Sequence, residues 1–262
     1  MLTKILPFLR CVRCLGVGLN PDDRSLSCGS CHARYALQDG ILDMAGEDSR
    51  EVITPFQRLM QTPAIVSIYE KLWRQAGYYI ASSRFFDEEM KTVLRLANGR
   101  QSGRALDLAC GTGVFTRPLS SLGSECMVGL DLSWPMLRQA RRMVKKENIQ
   151  NILLLRGTAF CLPFIDETFP YVNCCGALHL FDRPDDALME IRRVLVRGGH
   201  LCVQTTIRPT RSAGMAYFLE RFIRFGFFDE AGLLKKLGLN GFRLIESERH
   251  RISFTFLAER LE

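Results

Sequence analysis

Two hydrophobic periods divide this chain. From Arg104 onward, apolar runs of strand length alternate with segments whose apolar residues recur at helical spacing. Arg104–Gly111, Cys126–Ser133, Asn151–Thr158, Tyr171–Leu180 and His200–Ile207 read as strands, with helices over Val114–Ser121, Pro135–Lys146 and Pro184–Val196 between them. Helices over Gly214–Gly226 and Asp229–Leu237 and strands over Phe242–Arg249 and Ile252–Arg260 follow. Strands alternating with helices imply a mainly parallel sheet covered on both faces, an α/β fold. Residues 47–100 read as helical. Phe56, Leu59, Ile65, Ile68, Tyr69, Leu72 and Trp73 fall near helical spacing, interrupted by Pro55 and Pro63, and a second helix over Ser83–Ala97 stops at Asn98-Gly99. Residues 1–46 show neither period. Two Cys-x-x-Cys turns, a Gly18–Asp23 turn and a final strand in RYALQDGILDM make a unit too small to be stable without a staple. The expected organisation is therefore a small module (1–46), a helical linker or lid (47–100) and an α/β domain (101–262).

Composition narrows this picture. Hydrophobic residues are 47% of the 262, enough for a large core. No apolar run approaches the roughly 18 residues that suggest a membrane span. The opening MLTKILPFLR runs into Cys11 without the apolar stretch and cleavage site of a signal peptide, so a cytoplasmic setting is expected. The net charge of +7 permits contact with nucleic acid or acidic ligands, but the basic clusters at Arg138–Lys146 and Arg192–Arg211 read as solvated helix faces and their flanks.

Four of the ten cysteines form Cys11-x2-Cys14-x13-Cys28-x2-Cys31. In a reducing compartment that spacing favours a metal over disulfides, and four thiolates make a closed, tetrahedral, structural Zn2+ site. His32, beside Cys31, is an alternative fourth ligand. The other six, Cys174 and Cys175 among them, sit in apolar or motif segments without a neighbour that would activate a thiolate, and read as packing residues.

The segment LDLACGTGVF, Leu106–Phe115, leads a hydrophobic strand into a turn containing Gly111 and Gly113. Glycine there permits close backbone approach to a ligand, and the N–H groups of the next helix favour an anionic part of it. Asp107 precedes the turn, and Asp131 ends the second strand, 18 residues beyond Gly113, where an acid can accept from both ribose hydroxyls. Thr116 stands where a third glycine would mark a nicotinamide-dinucleotide site, which argues against that cofactor.

DLACGTG, GLDLS, RGTAFCLPF and RVLVRGGHL occur in that order over about Arg104–Arg260, and together they resemble the class I methyltransferases that depend on S-adenosyl-L-methionine (SAM). The resemblance implies a Rossmann-like sheet. It places Asp107, Ala109, Gly111, Thr112 and Gly113 around the methionyl part, Asp131 on the ribose, and Leu132, Met136, Thr158 and Ala159 about the adenine. Two positions depart from the family pattern: Thr158 replaces an acid, and Phe169-Pro170 replaces a Phe-Asp pair, so the pocket is expected to differ there. The cysteine module resembles the zinc ribbons of small methyltransferase-activator proteins and of rRNA guanine-N1 methyltransferases. With the segment TPAIVSIYEKLWRQAGY and the Ala177-Leu178-His179 run, the whole chain resembles cyanobacterial and plastid methyltransferases.

His179 is the candidate catalytic base at the carboxyl ends of the strands, with Asn173, Thr205 and Thr206 as further candidates there. Tyr69, Trp73, Tyr78 and Tyr79 could cap an acceptor pocket whose other wall is Arg208–Phe228. The expected acceptor is a small hydrophobic or aromatic metabolite, such as a quinone or polyketide. Two alternatives stay open: an rRNA or tRNA base reached with the ribbon's help, and a non-catalytic SAM-fold binding partner. The Asn/Asp-Pro-Pro-aromatic motif of nucleic-acid amino methyltransferases is absent, against adenine-N6 chemistry. Oligomeric state is left open.

Overall fold

The computed structural model describes residues 1–46, 58, 59, 62, 65, 66, 74–209 and 226–262. Most of the helix expected over Gly214–Gly226 lies outside them, as do Tyr69 and Trp73 of the expected cap.

The first 46 residues form a short helix, α1 (Leu2–Ile5), and strands β1 (Leu19–Pro21), β2 (Ser25–Cys28), β3 (Arg34–Gln38) and β4 (Ile41–Asp43). The single final strand expected here is a hairpin instead. Asp39 and Gly40 take φ of 55° and 75°, and Gln38 pairs with Ile41 across them. A two-residue turn with both residues at positive φ is the geometry Asp-Gly favours.

Helices α2 (Arg74–Ser82) and α3 (Phe86–Ala97) precede the alternating region. That region comprises β5 (Gly103–Leu108), α4 (Thr116–Leu119), β6 (Ser124–Asp131), α5 (Trp134–Lys146), β7 (Ile152–Arg156), β8 (Phe169–Cys175), α6 (Pro184–Val194), β9 (Leu195–Thr206), α7 (Glu230–Leu239), β10 (Phe242–His250) and β11 (Ser253–Arg260). Among the described residues, all the strands join one eleven-stranded sheet in the order β1-β2-β3-β4-β7-β6-β5-β8-β9-β11-β10. Strands β4, β7, β6, β5, β8 and β9 run parallel; at the far edge β11 is antiparallel to β9, and β10 is antiparallel to β11. The chain winds outward from β5 through β6 to β7, then restarts at β8 on the other side of β5. The crevice between β5 and β8 is the switch point where α/β sheets bind ligands at their carboxyl ends.

Alternation along each strand sorts the core onto two faces. Leu106, Val128, Leu130, Leu153, Leu155 and Val172 share one apolar cluster with α6 and, from the cysteine module, Ile5, Leu9, Leu26 and Tyr35. Ala105, Met127, Leu154 and Tyr171 face the other way, against Phe86, Val93 and Leu96 of α3 and Leu137, Ala140 and Val144 of α5. Each fully buried leucine contributes roughly 2 kcal/mol of apolar burial.

Several boundaries shift for local reasons. Helix α3 starts at Phe86, because Ser83 is held at φ 58° and the Glu88 carboxylate accepts from the Phe85 amide. Helix α6 stops at Val194 and β9 begins at once, bending through Gly198 at φ 70°. The strand expected over Tyr171–Leu180 ends at Cys175, where Gly176 turns at φ 82° into a single 3₁₀ turn carrying His179.

Candidate active site and cysteine cluster

The loop after β5 turns sharply because Ala109, Gly111 and Gly113 all have positive φ, at 55°, 56° and 78°. Among the described residues, a side chain on Gly111 would meet nothing within 4 Å; one on Gly113 would lie 3.4 Å from Ala140, so that glycine lets the loop pack on α5. The Gly111 amide donates to Asp131 Oδ2 at 2.8 Å and the Ser133 amide to Oδ1 at 2.8 Å, which holds the carboxylate beneath the loop. Burial raises the pKa of Asp131 against the lowering by those amides.

Asp107 lies behind the loop, 2% exposed. Thr116 Oγ1 donates to its Oδ2 at 2.5 Å and Asn173 Nδ2 to its Oδ1 at 2.7 Å, so one carboxylate ties β5, α4 and β8 together. Burial pushes its pKa up to about 6, against the lowering by Thr116, Asn173 and the positive charge of Arg74. Asn173, expected on the acceptor side, therefore supports Asp107 instead. Thr116, noted in the sequence only as a missing glycine, supplies a second hydrogen bond.

Leu132 offers its carbonyl to Arg156 Nε at 2.9 Å. Met136 packs with Ile65 and Val66. Thr158 accepts from the Phe160 amide at 3.3 Å, Ala159 joins the main core, and Thr112 is fully buried, its hydroxyl lacking a hydrogen-bond partner among the described residues.

Across the crevice, His179 Nδ1 lies 3.3 Å from Thr205 Oγ1. Burial, then the nearby Arg74 charge, pull its pKa down to about 3, so the imidazole is neutral at any working pH. Thr206 is turned away and donates to the Gly226 carbonyl at 2.8 Å. Cys174 and Cys175 are buried, and burial pushes both thiols far above their ordinary range, as packing residues require.

Arg74, which sequence reasoning missed, stacks its guanidinium 4.9 Å from the Phe86 ring centroid and 4.7 Å from that of Phe115. A side chain on Gly176 would press on the same guanidinium, 3.2 Å from Nη2. Its charge thus stands at the mouth of the β5–β8 crevice. Tyr78 donates to buried Glu89, which also accepts from Thr255 Oγ1 at 2.6 Å, while Tyr79 is 51% exposed.

The four cysteines converge in the N-terminal module, whose strands form the β1 edge of the sheet. All four sulfurs lie within 4.8 Å of one another, with Cys11–Cys31 at 3.5 Å and Cys14–Cys28 at 3.6 Å. A tetrahedral zinc with Zn–S near 2.3 Å needs S···S of about 3.8 Å, so the set suits that ion. His32 is not among the converging groups; its φ of 59° belongs to the turn after Cys31. Tyr35 OH lies 3.0 Å from Cys11 Sγ. Burial would raise the Cys11 thiol, but that hydroxyl and the Cys14 and Arg13 amides bring it down to about 6.

A glycine loop at the switch point, with a carboxylate closing the neighbouring strand, is the build of a nucleotide-cofactor site, and the chain belongs to the class I SAM-dependent methyltransferases. The family model described as "Methyltransferase domain" matches residues 105–199. Two uncharacterized chloroplastic methyltransferases of Arabidopsis thaliana are 31% and 32% identical over 207 and 195 residues, 75% and 70% of this chain. The chain spans 58% and 54% of their lengths, little more than half. The demethylmenaquinone methyltransferase of Bacillus subtilis is 35% identical over 158 residues, 58% of this chain and 67% of that one. Among solved structures, a SAM-dependent methyltransferase from Aquifex aeolicus superposes with a TM-score of 0.60 at 18% identity, over 76% of this chain and 99% of that one, and so shares the fold. Among the described residues, no helix is long and apolar enough to cross a membrane.

Proposed function

We propose that this methyltransferase acts on a small aromatic acceptor of the quinol type, and that a zinc ion held by Cys11, Cys14, Cys28 and Cys31 staples its N-terminal module. The observation that carries the acceptor class is the 35% identity to the Bacillus subtilis demethylmenaquinone methyltransferase over 158 residues. The half-buried Phe160 and Phe181 rings, 5.8 Å apart near the His179 turn, suit a flat apolar acceptor.

The bare backbone at Gly111 and the carboxylate beneath it fit the cofactor. When bound, SAM supplies an electrophilic methyl carbon on a positively charged sulfur. Ala109 and the Gly111–Gly113 turn present backbone to the methionyl part, with Thr112 beside them. Asp107 supplies negative charge to its ammonium, and Arg74 supplies positive charge to its carboxylate. Asp131 takes the ribose hydroxyls, each oxygen keeping a lone pair beyond the amide it already holds. Leu132 and Met136 flank the adenine, and Thr158 and Ala159 close its edge.

Methyl transfer from sulfonium is an in-line displacement, so the chain's main task is alignment and exclusion of water. We assign His179 to alignment: its neutral imidazole, held at Nδ1 against Thr205 Oγ1, stands with Thr205 at the carboxyl ends of the strands, where the pair orients an acceptor hydroxyl.

Purified protein incubated with SAM and demethylmenaquinol, and separately with rRNA transcripts, tests this reading through formation of S-adenosylhomocysteine (SAH). Turnover with the quinol is expected. Turnover with RNA and none with a panel of quinols would overturn the acceptor class.

A further inference from the structure

The cysteine module is built into the wall of the cofactor site. Strand β4 lies parallel to β7, with Ile41, Leu42 and Asp43 opposite Leu154, Leu155 and Arg156, and the Met44 amide donates to the Arg156 carbonyl at 2.8 Å. The Asp43 carboxylate accepts from Arg156 Nη1 at 3.1 and 3.2 Å. Arg156 Nε then donates to the Leu132 carbonyl at 2.9 Å, and the guanidinium lies 5.6 Å from the Trp134 ring centroid. The next amide, Gly157, donates to the Asp131 carbonyl at 3.0 Å. One arginine at the end of β7 therefore grips both the module's last strand and the segment Asp131–Trp134, whose carboxylate closes the glycine loop.

The metal end of this path is equally short. Tyr35 OH contacts Cys11 Sγ at 3.0 Å and accepts from the Val12 amide at 3.1 Å, and Tyr35 belongs to β3, the hairpin partner of β4. A cleft of about 570 Å³ opens beside this junction, bordered by Tyr35 and Ala36 on the module and by Arg156 and Thr158 on the sheet. Many small metal modules fold only when loaded, so loss of the metal is expected to loosen β3 and β4 where they meet β7.

We propose that the loaded cysteine cluster positions the adenosine wall of the cofactor site through Asp43 and Arg156, so that zinc and SAM reinforce each other's binding. The proposal rests on adenosine lying against Asp131 and Leu132. Asp43 and Arg156 are positioning residues, since they act through the Leu132 carbonyl and the Asp131 backbone. Such coupling is reciprocal: if zinc tightens the cofactor by a given factor, the cofactor tightens zinc by the same factor.

The test uses the full zinc-loaded chain and two readouts other than turnover. Asp43→Asn keeps the side chain's size and removes its charge. Calorimetry should show SAH binding weakened at least about fivefold, and methylthioadenosine, which lacks the amino-acid end, weakened by the same factor. Rescue by Asp43→Glu and non-additivity of Asp43→Asn with Arg156→Gln would further support the ion pair as the link. In the wild type, saturating SAH should slow zinc release to a colorimetric chelator, and this protection should shrink in Asp43→Asn. SAH affinity unchanged in Asp43→Asn, or zinc release indifferent to SAH, would overturn the coupling. Failure of the wild type to bind SAH would instead overturn the cofactor site itself.

Discussion

Asp107 and His179 carry opposite burdens from the same burial. Asp107, near 6 in the folded chain, lies above its unfolded value of about 3.9, so the cofactor-free fold favours its protonated form. That stabilisation is complete below about pH 4 and is lost as pH rises through about 6. In the proposed site, cofactor binding needs the opposite state, with carboxylate facing ammonium. SAH affinity measured by calorimetry should therefore fall as pH drops below about 6, and Asp107→Asn should abolish that dependence along with most of the affinity. Affinity flat down to about pH 5 in the wild type would remove Asp107 from the site. His179, held near 3, should give turnover no acid limb at the ordinary histidine value of about 6.5. His179→Gln should retain most of kcat, whereas His179→Ala should lose about tenfold, one hydrogen bond's worth. A limb near 6.5 that disappears in His179→Gln would restore the imidazole as the base. The sequence named Asp107, Gly111 and Asp131 because spacing along a strand–turn–helix survives folding. It could not name Thr116 and Asn173 as partners of Asp107, or Arg74 at the crevice, because those contacts join residues far apart or of ordinary type.

The elements tell a similar story through their ends. The glycine loop holds Ala109 at φ 55°, a conformation that costs an L-residue roughly 1 kcal/mol and glycine nothing. Ala109→Gly should leave stability unchanged or raise it by up to about 1 kcal/mol in urea unfolding, while Ala109→Val should lower it by more than that and weaken SAH. A stable Ala109→Val protein with normal SAH affinity would show that the loop relaxes freely. Periodicity located the buried strands and α5 closely, because Ser133 and Pro135 mark the helix start in plain residue types: Ser133 Oγ accepts from the Met136 amide. It misjudged β3 and β4 as one strand although Asp39-Gly40 was visible. The apolar pattern runs across that turn without a break, and only pairing with β7 gives β4 a reason to stop at Asp43.

At the scale of the whole molecule, the cysteine module is continuous with the catalytic sheet in both hydrogen bonding and core, which no local pattern could reveal. Leu9 bridges Phe164, the Arg10 amide donates to the Pro163 carbonyl at 3.0 Å, and Arg10 Nη2 lies 3.3 Å from Glu190. Arg104 stacks 3.6 Å from the Phe8 ring centroid. Ile5, Leu9, Leu26 and Tyr35 are buried in the same cluster as Phe164 and Phe169. A linker-tethered ribbon would unfold alone on chelation and leave the rest unchanged. Here, losing the metal should uncover that shared cluster and strip β7 of its neighbour, leaving Ile152–Leu155 as an apolar sheet edge open to another chain. Thermal unfolding of the loaded protein should therefore be a single transition. A strong chelator should shift the whole transition downward rather than split off a small early one, by several degrees at least, since each kcal/mol moves Tm by about 2–4 °C at this size. A chain starting after residue 46 should aggregate when concentrated. Two separate transitions, with the larger indifferent to chelator, would make the module an independent appendage and leave β7 stable as an edge.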